Sequence, residues 1–240
     1  MNIKEFENSF KSFLEKIEIE LDEKQIEQFY DYMQRLLKWN EKINLTAITQ
    51  PQEIIIKHFV DSLTISKYIK ENAKIIDVGT GAGFPGIPLK IYRNDIEVIL
   101  LDSLNKRINF LNDAINKMGL DKIGAIHGRA EEFGHNKEYR EKFDIATSRA
   151  VANMATLSEY LIPFVKVNGM VVAMKGSDVK QEIDESKRAI NVLGGKIFGV
   201  EEFNLPDTDI RRNVILIEKE KHTFAKYPRK AGTQSKEPLK

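Results

Sequence analysis

The stretch KIIDVGTGAGFPG (residues 74–86) decides the fold of this chain, which has 240 residues. Its first part, residues 74–78, is mostly apolar and β-branched, which predicts a buried strand. The glycines that follow let the backbone turn tightly and let a ligand lie against the main chain without a Cβ in the way. Residues 86–93 then predict a helix. A strand, a glycine-rich turn and a helix in this order indicate a loop that holds a cofactor.

Two cofactor classes fit the glycine-rich turn, and the turn alone leaves both open. The pattern GxGxxG at residues 81–86 matches the fingerprint of dinucleotide-binding proteins. The pattern DxGxGxG at residues 77–83 instead fits the loop by which class I methyltransferases hold S-adenosylmethionine. Asp102, at the end of the next strand, can accept hydrogen bonds from both ribose hydroxyls of either cofactor.

Short β-branched runs alternate with helical stretches from residue 74 onward. This alternation predicts an α/β fold with a mostly parallel sheet, helices on both faces and right-handed crossovers. Only residues 204–212 separate the last two strands, so these strands should form an antiparallel pair at one edge. The predicted strands are 74–78, 97–101, 123–127, 143–147, 170–174, 197–203 and 213–218, and the predicted helices are 86–93, 105–118, 151–162 and 178–193.

The remaining segments flank this α/β region. Apolar residues recur at spacings of three and four over residues 2–45, which predicts helix, with Asp22 as the N-cap of a second helix. Residues 219–240 hold seven Lys or Arg and two Asp or Glu, a net charge of +5, and we expect a loop or an extended arm there. The predicted parts are an N-terminal helical extension (1–66), the α/β domain (67–220) and a basic C-terminal tail (221–240).

Composition excludes several classes of protein. The chain has no cysteine, which excludes disulfide scaffolds, cysteine-based metal sites and thiol nucleophiles. No set of His, Asp and Glu has metal-ligand spacing on one element, so we expect no metal. The longest run without a charged residue, 78–89, is too short to span a bilayer, and the N-terminus has no apolar signal segment. We therefore expect a cytoplasmic protein without a membrane partner.

With these motifs in place, the chain resembles the bacterial 16S ribosomal RNA methyltransferase G family, formerly called glucose-inhibited division protein B. The resemblance covers nearly the whole chain, and its motifs are highly specific together although none is so alone. They are WNEKINLTAI (39–48), KHFVDSL (57–63), DVGTGAGFPGIPL (77–89), DSLNKR (102–107), GRAEEF (128–133), SRAVA (148–152), MKG (174–176) and YPRKAGTQSKEPL (227–239). Thr80 is a small departure, since many members carry Ala at that position.

The resemblance implies a class I S-adenosylmethionine-dependent methyltransferase, with a Rossmann-like sheet of seven strands, mostly parallel with an antiparallel last strand, in residues 67–220. It implies methyl transfer from S-adenosylmethionine to N7 of a guanine in the 530 loop of 16S ribosomal RNA. The implied partner is that RNA, in the 30S subunit or an assembly intermediate, and we expect a monomer. The cofactor-binding positions carried over from the family are Gly79, Phe84, Ala130, Glu131 and Arg149. We expect additional contacts from Gly81, Asp102 and Ser103.

The chemistry of guanine N7 agrees with the residues present. N7 has a free in-plane lone pair and no proton, so direct displacement needs no general base and no metal. Methylation of a pyrimidine C5 normally needs a cysteine nucleophile, which the chain lacks. Methylation of an adenine amine usually goes with an Asn/Asp-Pro-Pro-aromatic turn, and residues 148–151 read SRAV instead. Catalysis should then depend mainly on positioning.

Several cations should lie at the carboxyl edge of the sheet, beside the cofactor. The positioning candidates are Arg149, Lys175, Arg212 and His58, and the candidate RNA contacts are Lys175, Arg211, Arg212, Arg229 and Lys230. Arg149 could serve the cofactor or the RNA. His58 and Asp61, one helical turn apart, could line the cleft or form a hydrogen-bonded pair that joins the N-terminal helices to the sheet. A nicotinamide-dependent oxidoreductase and a non-catalytic RNA-binding module are the competing hypotheses.

Overall fold

A single mixed sheet of seven strands forms the centre of the computed structural model, which describes residues 1–149, 151–176 and 179–239. The strands are β1 Lys74–Val78, β2 Glu97–Asp102, β3 Ile123–His127, β4 Phe143–Arg149, β5 Val165–Lys175, β6 Gly195–Asn204 and β7 Arg211–Lys219. Their order across the sheet is β3-β2-β1-β4-β5-β7-β6. β7 is antiparallel to both of its neighbours, and the other pairings are parallel. The predicted fold class is confirmed.

Helices precede the sheet and cover both of its faces. They are α1 Ile3–Leu14, α2 Glu23–Asn40, α3 Pro51–Ile54, α4 Asp61–Leu63, α5 Gly86–Tyr92, α6 Asn105–Lys117, α7 Ala130–Phe133, α8 Met154–Leu161, α9 Lys180–Val192 and α10 Thr233–Lys236. A π-helical turn, Ile55–Val60, connects α3 to α4. Within the described ranges, no helix is long and apolar enough to cross a lipid bilayer.

Two apolar layers hold the fold together, one on each face of the sheet. Alternate strand residues point to opposite faces, so Ile75 belongs to one layer and Ile76 to the other. The N-terminal helices share the first layer with α5 and α6, and a cluster of aromatic rings that includes Phe10, Phe29 and Phe59 fills it. This layer is continuous from the N-terminal helices to the sheet. The division at residue 66 stays a prediction.

The topology places one edge of the sheet where a ligand can bind. The parallel strands β1 to β5 all end at this carboxyl edge, and β7 begins there, because Asn213 of β7 pairs with Lys175 at the end of β5. The chain crosses from one side of β1 to the other, which leaves a crevice beyond the ends of β1 and β4. In open α/β sheets, ligands bind in such a crevice.

The prediction of a second N-terminal helix with Asp22 as its N-cap is confirmed, but helix does not extend over all of residues 2–45. Helix α1 ends near residue 14, and α2 begins after Asp22, whose side chain accepts from the Gln25 backbone as predicted for an N-cap. Helix α2 ends at Asn40 because the side chain of Asn40 accepts from the backbone N–H groups of Leu45 and Thr46 and turns the chain away. Local periodicity does not show this side-chain hydrogen bonding.

The C-terminal tail is packed against the domain and is not a loose arm. Tyr227 is buried in the second apolar layer. The guanidinium of Arg140 donates to the carbonyls of Thr223 and Tyr227, at 2.7 Å and 2.8 Å. The tail ends in the short helix α10, where Thr156 of α8 donates to the carbonyl of Gln234. Apart from α10, residues 221–239 form turns and loop as expected, but polar contacts to carbonyls, which apolar periodicity cannot reveal, hold the segment against the domain.

Candidate active site

A cavity of about 660 Å³ opens at the carboxyl edge of the sheet. A smaller cavity of about 160 Å³ adjoins it, and Gly79, Asp102 and Ser103 line both. The predicted residues that line the larger cavity are His58, Gly79, Gly81, Phe84, Asp102, Ser103, Arg149, Lys175 and Arg212. Ala130 and Glu131 line the smaller one. Arg211, Arg229 and Lys230 line neither cavity.

The glycine-rich turn presents its main chain to the larger cavity. Gly79 and Gly81 have φ angles of +69° and +62°, which L residues with a side chain rarely adopt. A Cβ on Gly81 would meet nothing within 4 Å, so this side of the turn faces open space. A Cβ on Gly79 would lie 2.7 Å from a methyl carbon of Val151, which covers the turn from the loop after β4. The turn is therefore accessible at Gly81 and tightly covered at Gly79.

Asp77, near the end of β1, holds the glycine-rich turn in place by hydrogen bonds. Its Oδ2 accepts from the Thr80 hydroxyl at 2.7 Å and from the Gly86 backbone at 2.9 Å. Burial raises the pKa of the Asp77 carboxyl to about 6, although these hydrogen bonds act in the opposite direction. Among the residues that the structure describes, no group donates to its buried Oδ1. Asp77 thus holds both ends of the glycine-rich turn.

Asp102 lies buried where the two cavities meet. Its carboxylate accepts from the backbone N–H groups of Gly81 and Leu104, each at 2.9 Å, and from Arg107 at 3.1 Å. A carboxylate has about four acceptor positions. Arg107 also reaches the second carboxylate oxygen at 3.5 Å, so a ligand hydroxyl gains an acceptor position at Asp102 when Arg107 moves aside.

A stack of side chains forms one wall of the larger cavity. The ring of His58 stacks on Phe84 with their centroids 4.4 Å apart, and the guanidinium of Arg149 lies 4.9 Å from the centroid of Phe84. Phe84 thereby fixes the planes of both neighbours. Cation–π contact adds to the stability of this arrangement.

Asp61 links three separate elements at this wall. Its carboxylate is buried and accepts from Arg149 of β4 at 3.1 Å and from Arg212 of β7 at 3.0 Å. Arg149 also donates to the carbonyl of Lys57 at 3.0 Å and to Nδ1 of His58 at 3.0 Å. His58 and Asp61 are therefore joined through Arg149, so they line the cavity and also attach the N-terminal segment to the sheet.

His58 is neutral in this network. The guanidinium of Arg149 can only donate, so Nδ1 of His58 accepts and the ring proton lies on Nε2. Burial, together with the charge of Arg149, lowers the pKa of His58 to about 3. Since it can take a proton only in strong acid, His58 is a positioning group here and not a base.

Two further predicted cations, Lys175 and Arg229, already have partners in the fold. Lys175 donates to the Ala152 carbonyl at 2.7 Å and to Glu182 at 2.6 Å. The guanidinium of Arg229 lies 2.7 Å from the fully buried carboxylate of Glu159. Arg229 thus anchors the tail, and its contact with RNA stays a prediction. Lys230 is exposed beside it.

Three residues at the site were not singled out from the sequence. Thr46 and Val151 line the larger cavity, and Arg107 pairs with Asp102. Arg107 could have been found, because it follows Asp102 within one turn of the start of α6 and falls in the quoted segment DSLNKR. Thr46 likewise falls in the quoted segment WNEKINLTAI, but its contact with His58 is formed only by the tertiary fold.

Comparison with known protein families matches residues 25–214 to the family described as rRNA small subunit methyltransferase G. The chain belongs to this family. It is 52% identical over 227 residues to the Ribosomal RNA small subunit methyltransferase G of Clostridium novyi, with 94% of this chain and 93% of the relative covered. It is 53% identical over 222 residues to the protein of the same name from Acetivibrio thermocellus, with 92% and 91% covered.

Solved structures at low identity show the same fold. M. jannaschii TYW2 in complex with AdoMet matches with a TM-score of 0.54 at 16% identity, over 66% of this chain and 74% of that one. The [4+2]-cyclase SpnF matches with a TM-score of 0.56 at 12% identity, over 82% of this chain and 96% of that one. The fold thus serves different activities, and family membership is what identifies this one.

As a member of the rRNA small subunit methyltransferase G family, the chain is an S-adenosylmethionine-dependent rRNA methyltransferase. The predicted enzyme class and cofactor are confirmed. The alternative interpretation of the glycine-rich turn as a dinucleotide-binding loop is therefore wrong. The site fits a sulfonium nucleoside: the main chain at Gly81 faces open space, and Asp102 offers an acceptor between the two cavities.

Proposed function

We propose that this methyltransferase transfers the methyl group to N7 of a guanine in the 530 loop of 16S ribosomal RNA, by direct in-line displacement without a general base or a metal. The family and its relatives support the RNA substrate. The choice of atom rests on the chemistry of the cavity and on the motifs that the chain shares with the family.

The observation that carries the proposal is the state of the basic groups in the larger cavity. Among its described lining residues, the groups that could accept a proton are His58, Asp61 and Asp102. Each already accepts hydrogen bonds, and the pKa of His58 is lowered to about 3. A reaction that must remove a proton would be poorly served here. N7 of guanine carries none.

We propose that the cofactor is held by the glycine-rich turn and the two adjoining cavities. Its nucleoside would contact Asp102, Ser103, Ala130 and Glu131, and its methionine part would lie along Gly79, Gly81 and Phe84. When bound, S-adenosylmethionine supplies an electrophilic sulfonium methyl group to the N7 lone pair. Orientation of two reactants in this way contributes on the order of 7–11 kcal/mol.

The wall formed by Asp61, Arg149, His58 and Phe84 would orient the purine. Each group is fixed by its neighbours, so the cavity keeps its shape without the substrate. Rigid donors reduce the reorganisation that the reaction requires. We propose that Arg149 and Arg212 act as positioning residues, and that the Lys175–Glu182 pair supports the same edge.

RNA would approach along Arg212, which lines the larger cavity, and along exposed cations outside the two cavities. In Arg212, Nε donates to Asp61 and Nη1 to the Arg211 carbonyl. Nη2 has no acceptor among the described residues and can donate to a phosphate or base. Arg211 and Lys230 are exposed and can follow the RNA backbone. Phosphate contacts of this kind position an RNA without reading its sequence. Arg229 would contribute indirectly, by holding the tail that carries Lys230.

We propose further that the enzyme acts as a monomer on the 30S subunit or an assembly intermediate, in the cytoplasm. The experiment that tests the central proposal is mass mapping of methylated nucleotides in 16S RNA from cells with and without this protein. We expect one guanine in the 530 loop to lose its N7 methyl group in the deletion strain. Loss of a methyl group from another atom would overturn the choice of N7, and unchanged 16S RNA would overturn the substrate.

A further inference from the structure

Thr46 lines the larger cavity and is held in place by hydrogen bonds. Its backbone N–H donates to the Asn40 side chain at 3.0 Å, and the Asn40 side chain also accepts from Leu45 at 2.8 Å. The Thr46 hydroxyl oxygen accepts from the Ile48 backbone at 3.0 Å. Both the loop and the side chain are therefore fixed before any ligand binds.

The hydroxyl of Thr46 can act only as a donor in this arrangement. Because Arg149 donates to Nδ1 of His58, the ring proton lies on Nε2, and Nε2 donates to the Thr46 oxygen at 2.9 Å. With Ile48 as the second donor, both lone pairs of the oxygen are occupied. Its own proton remains, and in residues 1–149, 151–176 and 179–239 no acceptor lies within hydrogen-bonding distance of it.

We propose that the Thr46 hydroxyl donates a hydrogen bond to O6 of the target guanine and thereby selects guanine over adenine. This inference rests on the proposed function, since it takes guanine as the substrate base. O6 lies next to N7 on the same edge of the purine. A donor at O6 fixes the base while leaving the N7 lone pair free to react.

The same geometry rejects adenine. At the position of O6, adenine presents an amino group that donates hydrogen bonds. Two donors would then face each other, and the Thr46 hydroxyl cannot turn round to accept because His58 and Ile48 already occupy its lone pairs. A buried polar group left without its partner costs about ten- to a hundred-fold in transfer rate.

The test is a double-substitution cycle, in which the Thr46 hydroxyl and atom O6 of the target base are removed separately and together. Single-turnover transfer of a labelled methyl group is measured on 16S RNA assembled by ligation, with guanine, 2-aminopurine or inosine at the target position. 2-Aminopurine keeps N7 but lacks O6, and inosine keeps both. The full-length wild-type protein is compared with Thr46→Val, which keeps the shape of the side chain, and with Thr46→Ser, which keeps the hydroxyl.

We expect wild type to lose about ten- to a hundred-fold on 2-aminopurine and little on inosine. Thr46→Val should lose a similar factor on guanine and nothing further on 2-aminopurine, whereas Thr46→Ser should resemble wild type. If the loss caused by Thr46→Val and the loss caused by 2-aminopurine multiplied when combined, Thr46 would have a merely structural role and the inference would be overturned. A changed affinity of Thr46→Val for S-adenosylmethionine would also overturn it, by assigning the hydroxyl to the cofactor.

Failure of the proposed function gives a different result. If wild type does not methylate N7 of the unmodified guanine, the function itself is wrong. If it does, and 2-aminopurine reacts as fast as guanine, only the role of Thr46 falls. Should Thr46→Val not fold, as judged by circular dichroism, the wild-type comparison of the RNAs and the variant Thr46→Ala carry the same test.

Discussion

The carboxylate of Asp61 lies 3.1 Å from Nη1 of Arg149, and this contact joins the helical segment before the sheet to the end of β4. The carboxylate is 1% exposed, and the guanidinium of Arg149 is 15% exposed. Since Asp61 also accepts from Arg212, one buried acid holds two cations at the cavity wall. Its removal would leave both cations without their partner in a largely dry environment.

Asp61→Asn should lower the free energy of unfolding by about 3–5 kcal/mol, the cost of leaving a buried cation unpaired. Urea denaturation measures this change. Asp184→Asn is the matched control, because Asp184 pairs with Lys187 at 2.6 Å on the exposed face of α9. We expect the control to have little effect on stability, because solvent screens an exposed ion pair. Equal effects of the two variants would contradict the stabilising role of the buried pairing of Asp61 with Arg149 and Arg212.

The low pKa of His58 predicts a pH dependence of stability. The pKa is about 3 in the folded protein and 6.5 ordinarily. Between these values the unfolded chain binds a proton that the folded protein does not. The contribution of His58 to the free energy of unfolding therefore falls as the pH falls from 6.5 towards 3, by at most about 1.4 kcal/mol per pH unit.

Asp77 acts in the opposite direction, so the measurement must be a difference. Its pKa is raised from 3.8 to about 6, so the folded protein binds the extra proton and this contribution to stability is lost as the pH rises through 6. The free energy of unfolding of wild type and of His58→Gln is measured by denaturation across pH 4–7. The contribution of Asp77 is common to both proteins and cancels in the difference. We expect the two stability profiles to converge towards acid pH. Parallel profiles would show that His58 titrates normally.

Much of the fold could be predicted because it depends on period-2 and period-3.6 patterns. The strands from β1 to β7 follow β-branched runs, and the N-cap at Asp22 follows from its residue type. The end of α2 and the course of the tail could not be predicted in this way. They depend on the side chains of Asn40 and Arg140, which bind main-chain groups distant in sequence or beyond the helix.

The location of the site was also predictable, whereas the pairing of its charges was not. Parallel strands end at one edge, so their terminal residues Asp102, Arg149 and Lys175 had to lie near one another. The tertiary fold determines which cation pairs with which carboxylate. In the structure, Lys175 pairs with Glu182, and Arg229 pairs with Glu159.

Gly79→Val should abolish binding of S-adenosylmethionine, measured by calorimetry. The φ angle of +69° strains any β-branched residue, and its Cβ would meet Val151 at 2.7 Å. Gly119→Val is the matched control, since Gly119 has a φ of +61° and nothing within 4 Å of the added Cβ. The control should lose stability to a similar backbone strain but keep its cofactor affinity. Retained affinity in Gly79→Val would contradict the assignment of the turn.

Arg229→Ala should lower the free energy of unfolding by about 3–5 kcal/mol, because Glu159 would remain buried without its cation. Arg229→Ala combined with Glu159→Gln should recover part of this loss, since the amide carries no charge. Urea denaturation of the single and double variants measures both effects. If Arg229→Ala were as stable as wild type, the tail would not be anchored through this pair.

Lys230→Ala should weaken RNA binding through lost phosphate contact, without changing the affinity for S-adenosylmethionine. Lys230 is exposed, whereas the neighbouring Arg229 is held by Glu159. The slope of log affinity against log salt concentration should become shallower by about 0.7–0.9, the contribution of one released counterion. Filter binding of 16S RNA over a range of salt concentrations measures the slope. Lys166→Ala, at the start of β5 and so at the opposite edge of the sheet, is the control and should leave the slope unchanged. Equal slopes for Lys230→Ala and wild type would place the tail outside the RNA surface.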